Sequence, residues 1–363
     1  MSRVPITGIG VIAPGAIGVD AFRALLAGGQ TAIATIDRFD TSGLSAHKAA
    51  LIRDFKPRGF IPPMKMRRMN ALSRLGVAAA KLAIDDCGLA PATNSGVAIG
   101  TAFGPVQTSV EYMQEYVDKG AALAPPQLFA ESVANAPGSH IAIEHGLQGF
   151  NVTFTQRESS ALAAAMYACT QLMKGSVEMA LIGGVEEVNE MLFSVLDRIG
   201  ALAQDVALPF DPKRDGISIG EGGAVLVAGG GTRAPYGWLA GFGMARDRTA
   251  PISDWGTDSE AVVTAMRAAI DDAGIAADDI EAIYASANGS LRGDALEQRA
   301  IETLLPGKAV VTTKGVFGEY AAGGALQLVA ALLGVEQRYR NVLVSSISAG
   351  GGIICAVVSR EAQ

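Results

Sequence analysis

The sequence predicts a layered α/β fold made of two pseudo-symmetric halves, on three observations. The first is an internal repeat: AAAKLAIDDCGLAPATNSGVAIGTAFG from Ala78 resembles AMRAAIDDAGIAADDIEAIYASANGS from Ala265. Each copy reads as an amphipathic helix carrying A-I-D-D, a glycine stop at Gly88 or Gly274, a polar linker and an apolar strand. The second is composition. A chain of 363 residues with 49% apolar residues, 44 glycines and 18% charged residues suits a well-buried protein with two halves, not a disordered one. The third is that helical stretches such as 161–173 have no polar face, so they must be covered on all sides, between sheets.

The elements follow in order. VPITGIGVIAPG is an opening strand ended by glycine and proline, and the first repeat copy adds a helix and a strand over 96–101. Residues 151–155 form a short apolar strand that turns at Glu158 into a small-residue helix over 159–173. Strands over 177–183 and 224–228 complete this half. Gly229, Gly230, Gly231 and Thr232 mark a boundary, dividing the chain into 1–230 and 231–363. The second copy then supplies a helix and a strand over 282–287. A mostly apolar helix over 326–336 and an alternating strand over 342–347 follow.

The bulk properties exclude several function classes. A net charge of −7 and a pI near 5.1 argue against a general nucleic-acid surface. The densest cationic cluster (Lys65, Arg67, Arg68, then Arg74) reads as a solvated helix start. Cys87, Cys169 and Cys355 are widely spaced in apolar stretches and form no C-x-x-C, so they read as small buried hydrophobes, not as a disulfide framework or zinc site. His47, His140 and His145 read as structural. No motif calls for a cofactor or metal. No apolar run suits a membrane span and the N-terminus does not read as a signal peptide, so the expected setting is soluble, reduced and cytoplasmic.

Several stretches, in order and spacing, resemble the elongating β-ketoacyl-acyl-carrier-protein synthases of the thiolase-like fold. They are VPITGIGVIAPGAIGVDAFRALLAGG, MKMRRMNALSRLGVAAAKLAIDDCGL, NAPGSHIAIEHGLQGFNVTFT, ALIGGVEEV, PFDPKRDGISIGEGGAVLV and TTKGVFGEYAAGGA. The resemblance covers nearly the whole chain and implies a thiolase-like αβαβα layering. It also implies an acyl carrier protein as partner, and a dimer, homo- or heterodimeric, formed through the strand before the active-site turn. The family's chemistry uses a cysteine and two histidines. Matched residue by residue, the cysteine position holds Glu158, the His-Gly-Thr histidine is Asn288, and the Lys-x-x-x-Gly-His histidine is Glu319. Lys314, Asp294 and Glu297 match family positions around the site. Ile347-Ser348-Ala349-Gly350-Gly351 stands where the family has Phe-Gly-Phe-Gly-Gly, so the aromatic gate is absent.

A carboxylate at position 158 is a poor acyl acceptor, since the mixed anhydride hydrolyses readily. Losing both histidines removes the donors for an enolate oxygen. The leading expectation is therefore a non-condensing homologue that pairs with an active ketosynthase, as chain-length-factor subunits of the family do. Glu158 would then be a plug at a helix N-terminus, accepting backbone N–H bonds and neutralised by Arg157 or Lys314. The alternative is an acyl-thioester-processing enzyme (decarboxylase, hydrolase, dehydratase or isomerase) with Glu158 and Glu319 as an acid–base pair and Asn288 as carbonyl donor. A metal at the two glutamates lacks a third ligand, and Ser159 and Ser160 lack a histidine base.

Overall fold

The computed structural model describes residues 3–362. Ten strands carry the architecture: β1 (Val4–Ala13), β2 (Gly96–Gly100), β3 (Asn151–Phe154), β4 (Met179–Glu186) and β5 (Gly222–Gly229) in the first half. The second half has β6 (Gly237–Arg246), β7 (Ala282–Tyr284), β8 (Ala309–Val311), β9 (Asn341–Ile347) and β10 (Gly352–Ser359). The spatial order is β1-β5-β4-β2-β3 in the first and β6-β10-β9-β7-β8 in the second, which is the same sequence of positions. Strand directions also match. β1·β5 and β4·β5 are antiparallel while β2·β4 and β2·β3 are parallel, and the corresponding pairs of the second half repeat this. Pairing of Val4 with Leu239 and Ile6 with Gly237 joins the halves into one continuous sheet.

Period-two alternation sorts the side chains into layers. In β5, Ala224, Leu226 and Ala228 pack with the helices α2 (Ser160–Met173) and α4 (Ala325–Gln337), while Val225 and Val227 face α1 (Ala71–Cys87). In β10, Ile354, Ala356 and Val358 join the same central core, while Ile353, Cys355 and Val357 face α3 (Ser259–Ala273). The result is five layers, αβαβα, with α2 and α4 in the middle. Alanines 161, 163, 164, 165 and 168 are all buried, so α2 is thin enough to lie between two sheet surfaces.

The repeat has a physical purpose. The second aspartate of each A-I-D-D accepts a strand amide: Asp86 takes the Ile9 N–H at 2.8 Å and Asp272 takes the Phe242 N–H at 2.9 Å. Both strands are irregular just before these residues, where the register shifts. Next to them helix and strand touch backbone to backbone. A Cβ on Gly10 would lie 1.9 Å from the Ala79 carbonyl oxygen, and one on Gly243 would lie 2.0 Å from that of Ala265. The capping glycines Gly88 and Gly274 are left-handed, with φ of 71° and 67°.

The three cysteines are free and buried. His140, in the helix Ala136–His145, pairs at 2.8 Å with Glu131 at the end of the preceding helix, and Lys65 pairs with Glu144, consistent with structural and solvated roles. Among the described residues no helix is long and apolar enough to cross a membrane.

Candidate functional site

The site lies where the β3–α2 turn meets two segments of the second half. After β3 the chain makes a single 3-10 turn, Arg157–Ser159, and then enters α2. Arg157 adopts a left-handed φ of 50°, which turns Glu158 inward to 1% exposure. Glu319 follows the short helix Lys314–Phe317, and Asn288 lies beyond β7; they are 1% and 3% exposed. The structure thus buries Glu158, Asn288, Glu319 and Lys314 together, along with Asp294 at the start of the helix Leu291–Leu304.

Their bonding is asymmetric. Glu319 Oε2 accepts from Lys314 Nζ and from Asn288 Nδ2, each at 2.7 Å, and its Oε1 accepts the Tyr320 N–H at 2.8 Å. This is a buried ion pair with added hydrogen bonds, the arrangement that makes such a pair tolerable. Asn288 accepts the Ser290 amide, and Asp294 holds the Asn288, Gly289 and Phe210 amides with Arg214 at 3.9 Å. Glu158 has one partner: its Oε1 accepts from the Tyr320 hydroxyl at 3.1 Å, and its Oε2 is buried without one. Burial, then the Glu319 charge, pushes the Glu158 carboxyl up to about 7, partly offset by its own amide, Lys314 and Tyr320. Burial and the two carboxylates hold the Tyr320 phenol well above its usual range, so it remains a donor.

Three expectations need correction. Neither Arg157 nor Lys314 neutralises Glu158: Lys314 is bound to Glu319, and the Arg157 guanidinium reaches the Ala349 carbonyl at 3.5 Å. Beyond its own amide, the Glu158 carboxyl is held by a phenol hydroxyl instead of further amides of the helix start, because the 3-10 turn points the side chain across to Tyr320. Asn288 commits one of its two amide N–H groups to Glu319, so as a carbonyl donor it has only the other to offer.

Ser159 and Ser160 serve the backbone. Ser159 Oγ donates to the Ser346 carbonyl and Ser160 Oγ lies 2.6 Å from the Arg157 carbonyl; Ser348, in the glycine-rich loop, joins Ser159 at 2.8 Å. Tyr320 and Phe103, whose rings meet edge-on at 4.8 Å, were not evident in advance as site residues. An aromatic directly after position 319 was the available signal. Four cavities, of about 530, 710, 350 and 340 Å³, are lined by neither Glu158 nor Glu319; that of 710 Å³ reaches Thr155, Gln156 and Arg157.

Residues 1–230 match the family model for the beta-ketoacyl synthase N-terminal domain, and residues 236–344 match that for its C-terminal domain. The chain belongs to the beta-ketoacyl synthase family. It is 30% identical to the tetracenomycin polyketide synthase ketoacyl synthase beta subunit of Streptomyces glaucescens, over 92% of this chain and 85% of that protein. To 3-oxoacyl-[acyl-carrier-protein] synthase 2 of Vibrio cholerae it is 28% identical, over 92% and 86%. The ishigamide ketosynthase/chain length factor structure superposes with a TM-score of 0.90 at 25% identity, covering 99% of each chain. A ketosynthase in complex with its chain length factor from Xenorhabdus doucetiae, at TM-score 0.84 and 18% identity, shares the fold. The thiolase-like layering of β-ketoacyl synthases therefore holds for this chain.

Proposed function

We propose that this family member does not condense acyl groups but acts as a chain-length-factor-like partner of an active ketosynthase, in fatty acid or polyketide-type biosynthesis with an acyl carrier protein. The observation that carries the reading is the buried network Glu158–Tyr320–Glu319–Lys314–Asn288, in which Glu319 is fully bonded, at the positions that match the family's cysteine and histidines. It offers no thiol and no imidazole, and Glu158 is 1% exposed. The similarity to a ketoacyl synthase beta subunit and to a ketosynthase/chain length factor structure supports the partner role.

The edge strand β3 supports it as well. Phe150 and Phe154 carbonyls accept from Val97 and Thr101, so the alternate residues Asn151 and Thr153 turn their backbone groups away from β2. A partner strand has those groups to pair with.

One observation favours a second reading, in which Glu158 is an acid–base group acting on an acyl thioester: its carboxyl titrates near neutrality and one oxygen is unpartnered. Glu319, committed to three donors, is a poor second member of that pair. Glu158→Gln separates the readings. With the chain co-expressed beside its synthase, product output should stay within about twofold of wild type. A loss of orders of magnitude in turnover would establish the acid–base role instead.

A further inference from the structure

The Glu158 turn uses the Tyr320 hydroxyl alone, and the Glu319 ion pair does not demand a tyrosine at position 320. A bulky residue there carries a cost. Its backbone is left-handed at φ 65°, and Ala322 is likewise at 53°, a conformation that is strained for any residue but glycine. Such residues persist only where the surroundings hold them. Here they do. The Tyr320 hydroxyl reaches Glu158, its amide is bound by Glu319, and its ring, 5% exposed, rests against Phe103. Phe103 is itself anchored: buried Glu186 accepts the Ala102 and Phe103 amides and the Thr101 hydroxyl.

We infer that Tyr320, seated on Phe103, is the residue that closes this site against acyl chains. The volume its ring occupies, between the Glu158 turn and the Glu319 segment, would otherwise admit the acyl end of a thioester. The class of ligand rests on the reading of the chain as a ketosynthase partner; the closure itself rests on the geometry. Glycine at 320 would remove the ring and relieve the backbone together, so Tyr320→Gly is the informative change.

Two probes test it by calorimetric titration: p-cresol, which has the shape of the missing side chain, and an octanoyl N-acetylcysteamine thioester. An emptied apolar cavity binds small aromatics of matching size. Tyr320→Gly should therefore bind both probes at least tenfold more tightly than wild type, with p-cresol displacing the thioester and raising the Tm of the variant alone. Tyr320→Phe keeps the ring and should exclude the thioester. Should Tyr320→Gly not fold, Phe103→Ala leaves the strained backbone untouched and is expected to admit the thioester. Folded variants that bind neither probe, or wild type that binds the thioester as tightly as they do, would overturn the inference. Assembly with a synthase is scored separately. A Tyr320→Gly chain that assembles yet binds no thioester refutes the closure alone, and a chain that binds the thioester yet never assembles refutes the partner role alone.

Discussion

Glu158 and Glu319 carry the same side chain under opposite conditions. Glu319 has an ammonium, an amide and a backbone N–H around it, whereas Glu158 has one phenol and an oxygen without a partner. Burial and repulsion from Glu319 raise the Glu158 carboxyl from an ordinary 4.5 to about 7. Between those values the folded chain holds a proton that the unfolded chain releases. The stabilisation present below about 4.5 is therefore lost as the pH rises through 7. Gln matches the protonated form, so Glu158→Gln should leave Tm nearly unchanged at pH 5 and raise it at pH 8, by scanning calorimetry. An equal shift at both pH values would show that Glu158 does not titrate in this range. The sequence singled out Asn288, Glu319 and Glu158, because they sit in otherwise kept motifs, and the structure buries the three together. It did not disclose the partners. Which donor reaches Glu158 depends on the left-handed turns at Arg157 and Tyr320, and these have no signature in residues that are not glycine.

Among the elements, α1 with β1 and α3 with β6 are built twice to one plan. The A-I-D-D repeat announced the two-half plan, and the helices read over 159–173 and 326–336 and the strands over 224–228 and 342–347 match the observed ones within a few residues, whereas β6 and β10 were not read. Short β7 is the exception: it ends at Tyr284 instead of continuing to 287, because the following residues turn toward Asp294 and Glu297, which hold the Asn288 and Ser286 amides. What the repeat did not reveal was the duty of its second aspartate, since that depends on a strand irregularity that brings a backbone N–H to the helix end. Asp272→Ala should leave the Phe242 amide unpaired and cost about 1–3 kcal/mol in urea unfolding. Asp272→Asn, which keeps an acceptor oxygen, should cost less. Equal losses would point to the negative charge as the stabilising feature.

For the whole molecule, a well-kept scaffold surrounds a site that we read as closed. The layers, the joined sheets and the outward-facing backbone of β3 are what association with a similar subunit needs. On the proposed reading, the buried carboxylates and the Tyr320–Phe103 contact fill the space beside Glu158. The division is physically coherent: a subunit can contribute a surface to a shared assembly while its own pocket is filled. The most direct measurement is native mass spectrometry of the chain co-expressed with a cysteine-bearing ketosynthase and supplied with an acyl donor. The account predicts a 1:1 heterodimer carrying the acyl mass on the synthase alone. A stable, exclusive homodimer of this chain that takes up the acyl group itself would contradict it.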